Sequence, residues 1–192
     1  MKFILITLSL LLVVSCASES DQGAQTKTPE KQAATQPVQK ASGLVKREAC
    51  IALSPKSLAD IMSWDADLVK SEQMMSLKKR DVTVCSYQFG DDKALVRMAW
   101  KSEAAQTNEV LTRNFEKLLA EGEENLKYRE ISNSSDEQII WGVGKDRFGQ
   151  SMFILRQRAG NASEVQIEVT TMRSEEETFL GLMQKILNKI TE

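Results

Sequence analysis

Any chemistry that this chain performs must proceed without histidine, because the 192-residue sequence contains none. Histidine is the commonest general base and zinc ligand, and it is the side chain whose charge changes near neutral pH. A Ser-His-Asp triad, a Cys-His dyad and every metal site that needs imidazole are therefore excluded. The formal net charge of −2 also gives no basic surplus that would attract nucleic acid or anionic lipid.

Two patterns in the sequence resemble ligand-binding sites, but only in part. Residues 142–146 (Gly-Val-Gly-Lys-Asp) place a lysine behind glycines, but the glycine and hydroxyl positions of a phosphate-binding loop are not filled, so we predict a β-turn. Asp60, Asp65 and Asp67 lack the further oxygen ligands and the glycine of a calcium loop, so we predict an exposed acidic loop. The sequence therefore predicts no metal, no cofactor and no catalytic residue.

The N-terminus has the layout of an export signal. Lys2 supplies a positive charge, and residues 3–14 form an apolar run that only Thr7 and Ser9 interrupt. A transmembrane helix needs roughly 20 apolar residues, and this run is shorter. The sequence therefore predicts a signal peptide over residues 1–15.

The apolar run ends in Val13-Val14-Ser15-Cys16, with a small residue directly before the cysteine. This motif resembles the lipobox of bacterial lipoproteins. The resemblance implies cleavage before Cys16, attachment of a diacylglyceryl group to its thiol, and acylation of the new amino terminus by a chain such as palmitate. Two or more acyl chains anchor a protein stably, since each buried CH2 contributes ~0.8 kcal/mol. The alternative is an ordinary secretory signal in which Cys16 is incidental.

The same resemblance implies a location in the bacterial cell envelope, anchored to a membrane and facing the periplasm or the cell surface. Ala17 follows the cysteine where an aspartate would indicate retention in the inner membrane, so we expect the outer membrane. Residues 16–46 comprise the lipidated cysteine and a stretch rich in Ser, Thr, Gln, Ala and Lys, without aromatic residues. Such a stretch buries too little apolar surface to fold, so we predict a disordered tether that spans roughly 30 Å.

Cys50 and Cys85 are the two cysteines that remain in residues 47–192, the predicted folded domain. Disulfides persist in the compartment that the export signal implies. We therefore predict a Cys50–Cys85 disulfide, and the loop that it closes would make it worth ~3–4 kcal/mol. A redox-active or metal-binding pair is disfavoured by the absence of both a CxxC spacing and histidine, and free thiols are the other alternative.

Hydrophobic periodicity predicts three helices and about five strands. The helices are expected at about 55–64, 102–119 and 174 to the C-terminus, and the strands at 82–89, 94–101, 138–144, 151–158 and 164–172, with a further short strand near 127–131. Ser174 and Glu177 have the spacing of a helix capping box.

The last predicted strand is apolar on one face only. Val165, Ile167 and Val169 alternate there with Gln166, Glu168 and Thr170. Such alternation is typical of an antiparallel sheet with one wet face. We therefore predict an α+β fold in which helices cover one sheet face in a two-layer sandwich, in the order α-β-β-α-(β)-β-β-β-α.

The neighbouring strand is apolar on both faces, because Met152 and Ile154 alternate with Phe153 and Leu155. An apolar patch beside a charged rim is typical of a recognition surface. We therefore predict a binding face formed by this strand and by the tryptophans that point outward, with these candidate residues: Trp100, Trp141, Met152, Phe153, Ile154 and Leu155. The alternative is that a loop or the second helix covers this face.

These observations together predict a membrane-anchored envelope lipoprotein whose domain binds or scaffolds without catalysis. Its expected partner is another envelope protein or a small apolar ligand, besides the membrane that holds the lipid anchor. Two alternatives stay open, a histidine-free envelope enzyme and a purely structural lipoprotein. An enzyme would need a cluster of buried carboxylates or lysines with perturbed pKa values.

Overall fold

A computed structural model describes residues 44–77, 81–100, 104–123, 125–134, 136–160 and 163–192. The predicted signal peptide, Cys16 and most of the predicted tether lie outside the described residues. The described elements are α1 (Ala49–Ala52), α2 (Pro55–Met62), a 3-10 turn (Ala66–Leu68), β1 (Lys70–Met75), β2 (Val82–Phe89), β3 (Asp92–Trp100), α3 (Ala104–Glu121), β4 (Leu126–Asn133), β5 (Glu137–Lys145), β6 (Ser151–Ala159), β7 (Ser163–Thr171) and α4 (Glu176–Thr191).

The seven described strands form one sheet in the order β1-β2-β3-β7-β6-β5-β4, and every neighbouring pair is antiparallel. The first three strands are joined in sequence, α3 then carries the chain to the far edge, and β4 to β7 return until β7 pairs with β3. The predicted α+β class and antiparallel sheet are confirmed. The predicted counts of about five strands and three helices are wrong, since the described residues contain seven and four.

The two elements that the sequence analysis missed are short and weakly patterned. β1 has the sequence KSEQMM, in which four of six residues are exposed, so it carries no apolar alternation. α1 is a single turn of four residues and gives no helical period. The short strand expected near residues 127–131 is present as β4.

One face of the sheet, here termed the inner face, packs against α1, α2 and α4. Val165, Ile167 and Val169 of β7 lie on this face and are almost completely buried, as the alternation predicts. Trp141, Phe153 and Phe179 stack in series, with ring centroids 5.7 Å and 4.7 Å apart, and so join two strands to α4. This apolar layer is the main core of the domain.

The ends of the helices follow their local sequence only in part. Ser54 caps α2 as its sequence predicts, because its side chain accepts a hydrogen bond from the backbone N–H of Ser57 at 3.1 Å. The capping box predicted at Ser174 is wrong, since Glu175 is the N-cap of α4 and makes no side-chain cap. The carboxylate of Glu177 instead accepts a hydrogen bond from Arg129 at 3.2 Å.

The opposite side, here termed the outer face, is covered in part by α3. Leu111 and Phe115 of α3 are buried but lie outside the inner core, as do Ile140 and Ile154, which alternate with inner-face residues along β5 and β6. The connection from α3 to Leu126 also lies on this face, next to Gly144. A strict two-layer arrangement is therefore wrong, because helices lie on both faces of the sheet.

The predicted disulfide is confirmed. Cys50 in α1 and Cys85 in β2 are bonded, and their Cα atoms are 5.1 Å apart. Because Cys85 belongs to the inner core, the bond fixes the first helix of the domain to the sheet.

Candidate functional site

The structure does not assemble the predicted binding face. Trp141, Phe153 and Leu155 lie in the inner core, where α4 covers them, and each is at most 1% exposed. Ile154 points to the outer face, yet it is also buried, at 3% exposure. Alternation along a strand identifies which residues share a face, but it does not reveal whether a helix covers that face.

The two remaining candidates are half-buried. Met152 lies on the outer face, opposite Thr170 of β7. Trp100 packs against the inner core, and its indole N–H donates a hydrogen bond to the backbone oxygen of Leu44 at 3.0 Å. Trp100 thus holds the start of the described chain against the end of β3, which is a structural role.

The glycine-rich stretch at residues 142–146 lies mostly inside a strand. β5 continues to Lys145, and the turn begins only at Asp146, so the prediction of a β-turn is wrong for both glycines. A Cβ atom on Gly142 would approach the Tyr128 ring to 2.6 Å. This glycine is therefore needed because an aromatic ring on the neighbouring strand occupies the space above it.

The acidic residues considered for calcium make local contacts. The Asp65 side chain accepts a hydrogen bond from the backbone N–H of Asp67 at 3.1 Å, and Asp60 pairs with Lys56 on the surface of α2. Within the described parts of the chain, no three His, Cys, Asp or Glu side chains come together as metal ligands do.

A group of charged and polar side chains on the outer face is the strongest candidate site. It consists of Glu123, Tyr128, Arg156 and Glu168, here termed the outer-face cluster. Tyr128 comes from β4, Arg156 from β6 and Glu168 from β7, while Glu123 lies in the turn after α3. Antiparallel pairing brings these segments together, since Tyr128 lies opposite Gly142, and Gly142 in turn lies opposite Ile154, which is paired with Glu168.

Glu123 holds two members of the cluster through one carboxylate oxygen. Its Oε2 atom accepts a hydrogen bond from the Tyr128 hydroxyl at 2.8 Å and another from Nη2 of Arg156 at 3.2 Å. The Arg156 guanidinium also lies 5.7 Å from the centre of the Tyr128 ring, in cation–π range. Burial is the main cause that raises the pKa of the Tyr128 phenol, so the phenol stays protonated and donates.

Among the charged members of the cluster, Arg156 and Glu123 form an ion pair, whereas Glu168 forms none with a described residue. Burial raises the pKa of its carboxyl, the nearby Arg156 lowers it, the nearby Glu123 raises it, and a hydrogen bond from Gln166 lowers it, with a net rise. A half-buried carboxylate that forms no ion pair with a described residue is able to accept hydrogen bonds from an amine or a guanidinium.

The strands β3 and β7 place a second charged pair, Arg97 and Glu164, next to the cluster. Arg97 on β3 lies opposite Gln166, which lies opposite Arg156, so two guanidinium groups flank one amide across three strands. Nη1 of Arg97 is 3.6 Å from a carboxylate oxygen of Glu164. The outer face therefore offers a carboxylate and a guanidinium close together, which suits a polypeptide segment that carries both signs of charge.

Only part of this site was visible in the sequence. Gln166 and Glu168 were predicted to lie on the wet face, and they are half-exposed there. Glu123, Tyr128 and Arg156 were missed, because they come from separate segments that only the strand order brings together. A usable signal was the pair Gly142 and Gly144 within a strand, since glycine there often marks the close approach of another group.

No family model, curated protein or solved structure compared with this chain matches it. None of the helices in the described ranges has the length and apolar character required to cross a bilayer.

Proposed function

We propose that this chain is a lipid-anchored protein of the bacterial cell envelope whose folded domain binds a polypeptide partner without catalysing a reaction. The lipobox-like sequence that ends at Cys16 supports the anchor, and Ala17 directly after it supports an outer-membrane location. The observation that carries the binding role is the half-buried carboxylate of Glu168, which lies beside Arg156 without an ion pair among the described residues.

The surroundings of this carboxylate favour recognition over chemistry. Across β2, β3 and β7 the outer side chains near the turn at Gly90 are exposed or half-exposed: Ser86, Gln88, Lys93, Leu95, Gln166 and Glu168. They form a mixed polar surface with one half-exposed apolar residue, Leu95, which resembles the rim of a protein interface. The one hydroxyl of the outer-face cluster, that of Tyr128, keeps its proton because burial raises its pKa, so it is not activated as a nucleophile.

The position of Leu44 is compatible with binding at the outer face. Leu44 is held at the end of β3 where Trp100 lies, and the turn at Gly90 lies at the opposite end of the same strand. A strand of nine residues spans about 30 Å. A tether that enters at Leu44 would leave the outer surface around Lys93 and Glu168 on the side away from its point of entry.

The anchor is tested by replacing Cys16 with alanine in the full chain and labelling cells with a palmitate analogue. We expect label on the wild-type protein only, and we expect the Cys16→Ala protein to be released from membranes or to remain unprocessed. Cys50→Ala is the matched control, since it removes a different cysteine and should keep the label. Equal labelling of the wild type and Cys16→Ala would contradict the anchor.

The binding role is tested by placing a photo-crosslinking amino acid at position 166 of the full chain in living cells. We expect irradiation to join the protein to a discrete partner. The control places the same amino acid at position 185, an exposed residue on α4. A product of the same size and yield from both positions, or none from position 166, would contradict binding at the outer face.

A further inference from the structure

β1 is an edge strand of the sheet, and among the described strands it pairs with β2 alone. Exposed apolar side chains gather along this strand. Leu68, just before β1, is 62% exposed, and Met74, near its end, is 58% exposed. Ile51 on α1, the helix beside β1, is 72% exposed. An open edge strand of this kind presents unpaired backbone groups that another strand is able to pair with.

β1 is held rigidly as a template for such pairing. The Gln73 side chain accepts a hydrogen bond from the backbone N–H of Cys50 at 3.2 Å and donates one to the Thr83 hydroxyl at 2.7 Å. Glu48 accepts hydrogen bonds from both Thr83 and Ser76, at 2.7 Å and 2.6 Å. A strand fixed in this way loses little conformational freedom when a partner strand is added.

Two exposed charges of opposite sign lie on β1 and point to the outer face of the sheet. Lys70 is paired in register with Gln88 and Glu72 with Ser86, so both point to the outer face. Neither Lys70 nor Glu72 forms an ion pair with another described residue. The strand therefore carries a positive and a negative charge two residues apart, with Ser71 between them.

We propose that β1 pairs with β1 of a second copy of this chain, antiparallel and about a two-fold axis at Ser71. In this register Lys70 lies opposite Glu72 of the second copy, and Glu72 lies opposite its Lys70. The exposed Leu68, at the end of the 3-10 turn, and Met74, at the irregularity in β1 between Gln73 and Met75, flank this central pairing. Opposite charges placed directly across an antiparallel pair stabilise it.

The sequence of β1 selects this register. An axis at Lys70 or at Glu72 would place two like charges opposite each other, whereas the axis at Ser71 pairs both charges with their opposites. The other edge strand, β4, offers no such register near its centre. An axis at Lys127, Arg129 or Glu130 brings together identical charges, and an axis at Tyr128 sets Lys127 against Arg129.

The pairing would join the two sheets edge to edge and keep both outer faces on the same side, because the axis is perpendicular to the sheet. A six-residue strand buries less surface than a stable protein interface does. The dimer is therefore expected to depend on protein concentration and to be favoured when both copies are held on one membrane. The outer-face cluster stays accessible in this arrangement, so the dimer does not depend on the proposed binding role.

The test uses the full chain, purified in detergent, with Ser71→Cys and oxidation by copper phenanthroline. Directly opposite residues in an antiparallel pair have Cα atoms about 4.5–5.5 Å apart, within the range of a disulfide. We expect a disulfide-linked dimer from Ser71→Cys on a non-reducing gel. Ser132→Cys, at an exposed serine of the opposite edge strand, is the matched control and should remain monomeric. Equal dimer from both variants, or none from Ser71→Cys, would overturn the proposal.

The register is tested by charge reversal in the Ser71→Cys background. Lys70→Glu should slow the crosslinking roughly tenfold, because both attractive pairs become repulsive. Lys70→Glu combined with Glu72→Lys should restore the rate, which a general loss of folding would not allow. If Lys70→Glu leaves the rate unchanged, or the double reversal fails to restore it, the proposed register is wrong.

Discussion

The two faces of the sheet are built from alternate residues of the same strands, yet they differ in the share of apolar and charged side chains that they carry. On the inner face, β6 contributes Phe153 and Leu155 to an apolar core under α4. On the outer face, the same strand contributes Arg156, whose charge is balanced by Glu123 on the turn after α3. The inner face thus supplies the larger share of the apolar burial that stabilises the domain. The outer face, beside the apolar residues buried near α3, keeps charges that contribute little to stability.

This difference indicates where function is to be sought. An ion pair between partly exposed groups contributes ~0–1 kcal/mol, so the charges on the outer face are poorly explained by stability alone. Half-buried carboxylates and guanidinium groups on an open sheet are better explained by recognition of a partner. Substitutions on the two faces should therefore differ in how much they lower the free energy of unfolding.

The largest effect is expected from Phe153→Ala, which removes the middle ring of the aromatic stack on the inner face. The loss of apolar burial and the cavity that remains should lower the free energy of unfolding by ~3–5 kcal/mol in urea titrations. Met152→Ala is the matched control, since it alters the adjacent residue, which points to the outer face and is half-buried. Equal losses of stability from both variants would show that the two faces contribute equally to the core.

Removal of the disulfide should be nearly as costly. Cys50→Ala together with Cys85→Ala opens a loop with a sequence separation of 35 and should lower the free energy of unfolding by ~3–4 kcal/mol. Dithiothreitol should destabilise the wild type to the same extent and leave the double variant unchanged. A wild type that is insensitive to reduction would show that the bond does not constrain the inner face.

Gly142→Ala should disturb the outer face by a smaller amount. The added Cβ meets the Tyr128 ring at 2.6 Å, so the ring must move, at a cost of ~1–3 kcal/mol in the free energy of unfolding. Gly181→Ala in α4 is the control, because nothing lies near that Cβ position and alanine should stabilise the helix by ~0.5–1 kcal/mol. The account of Gly142 fails if Tyr128→Ala does not relieve the cost of the substitution.

The smallest effect is expected from Glu168→Gln, and it should depend on pH. The folded state raises the pKa of this carboxyl above its ordinary value of 4.5, so the folded protein binds more protons than the unfolded chain in that range. The contribution of Glu168 to the free energy of unfolding therefore falls as the pH rises through the raised pKa. Glu168→Gln should be more stable than the wild type at neutral pH and equal to it below about pH 4, as measured by thermal unfolding. A lower stability at neutral pH would show that Arg156 and Gln166 outweigh the cost of burying this carboxylate.

The sequence predicted the inner face better than the outer one for a physical reason. Alternation of apolar residues, as in Val165, Ile167 and Val169, reports directly on burial, because burial is what selects these residue types. Strand β1 escaped prediction since an exposed edge imposes no alternation. The cover over Ile154 was also missed, because the path of α3 depends on strand order, which the periodicity of a single strand does not encode.

The outer-face cluster lay beyond sequence reasoning for a related reason. Tyr128 and Arg156 come from strands that are two apart in the sheet, and they approach each other only because Gly142 leaves space between them. The contact therefore requires the pairing register of three strands. The Cys50–Cys85 disulfide was predictable by contrast, because few cysteines remain once Cys16 is assigned to the lipid.

The most direct test of the division between the faces is carbodiimide labelling of carboxylates in intact cells and in the purified full chain, read out by mass spectrometry at Glu168 and at Glu116. Glu116 is exposed on α3 and serves as the internal reference. If the outer face binds a partner, Glu168 should be labelled more slowly in cells than after purification, while Glu116 is labelled equally in both. Equal labelling of Glu168 in cells and in the purified chain would contradict the proposal that this face is a binding surface.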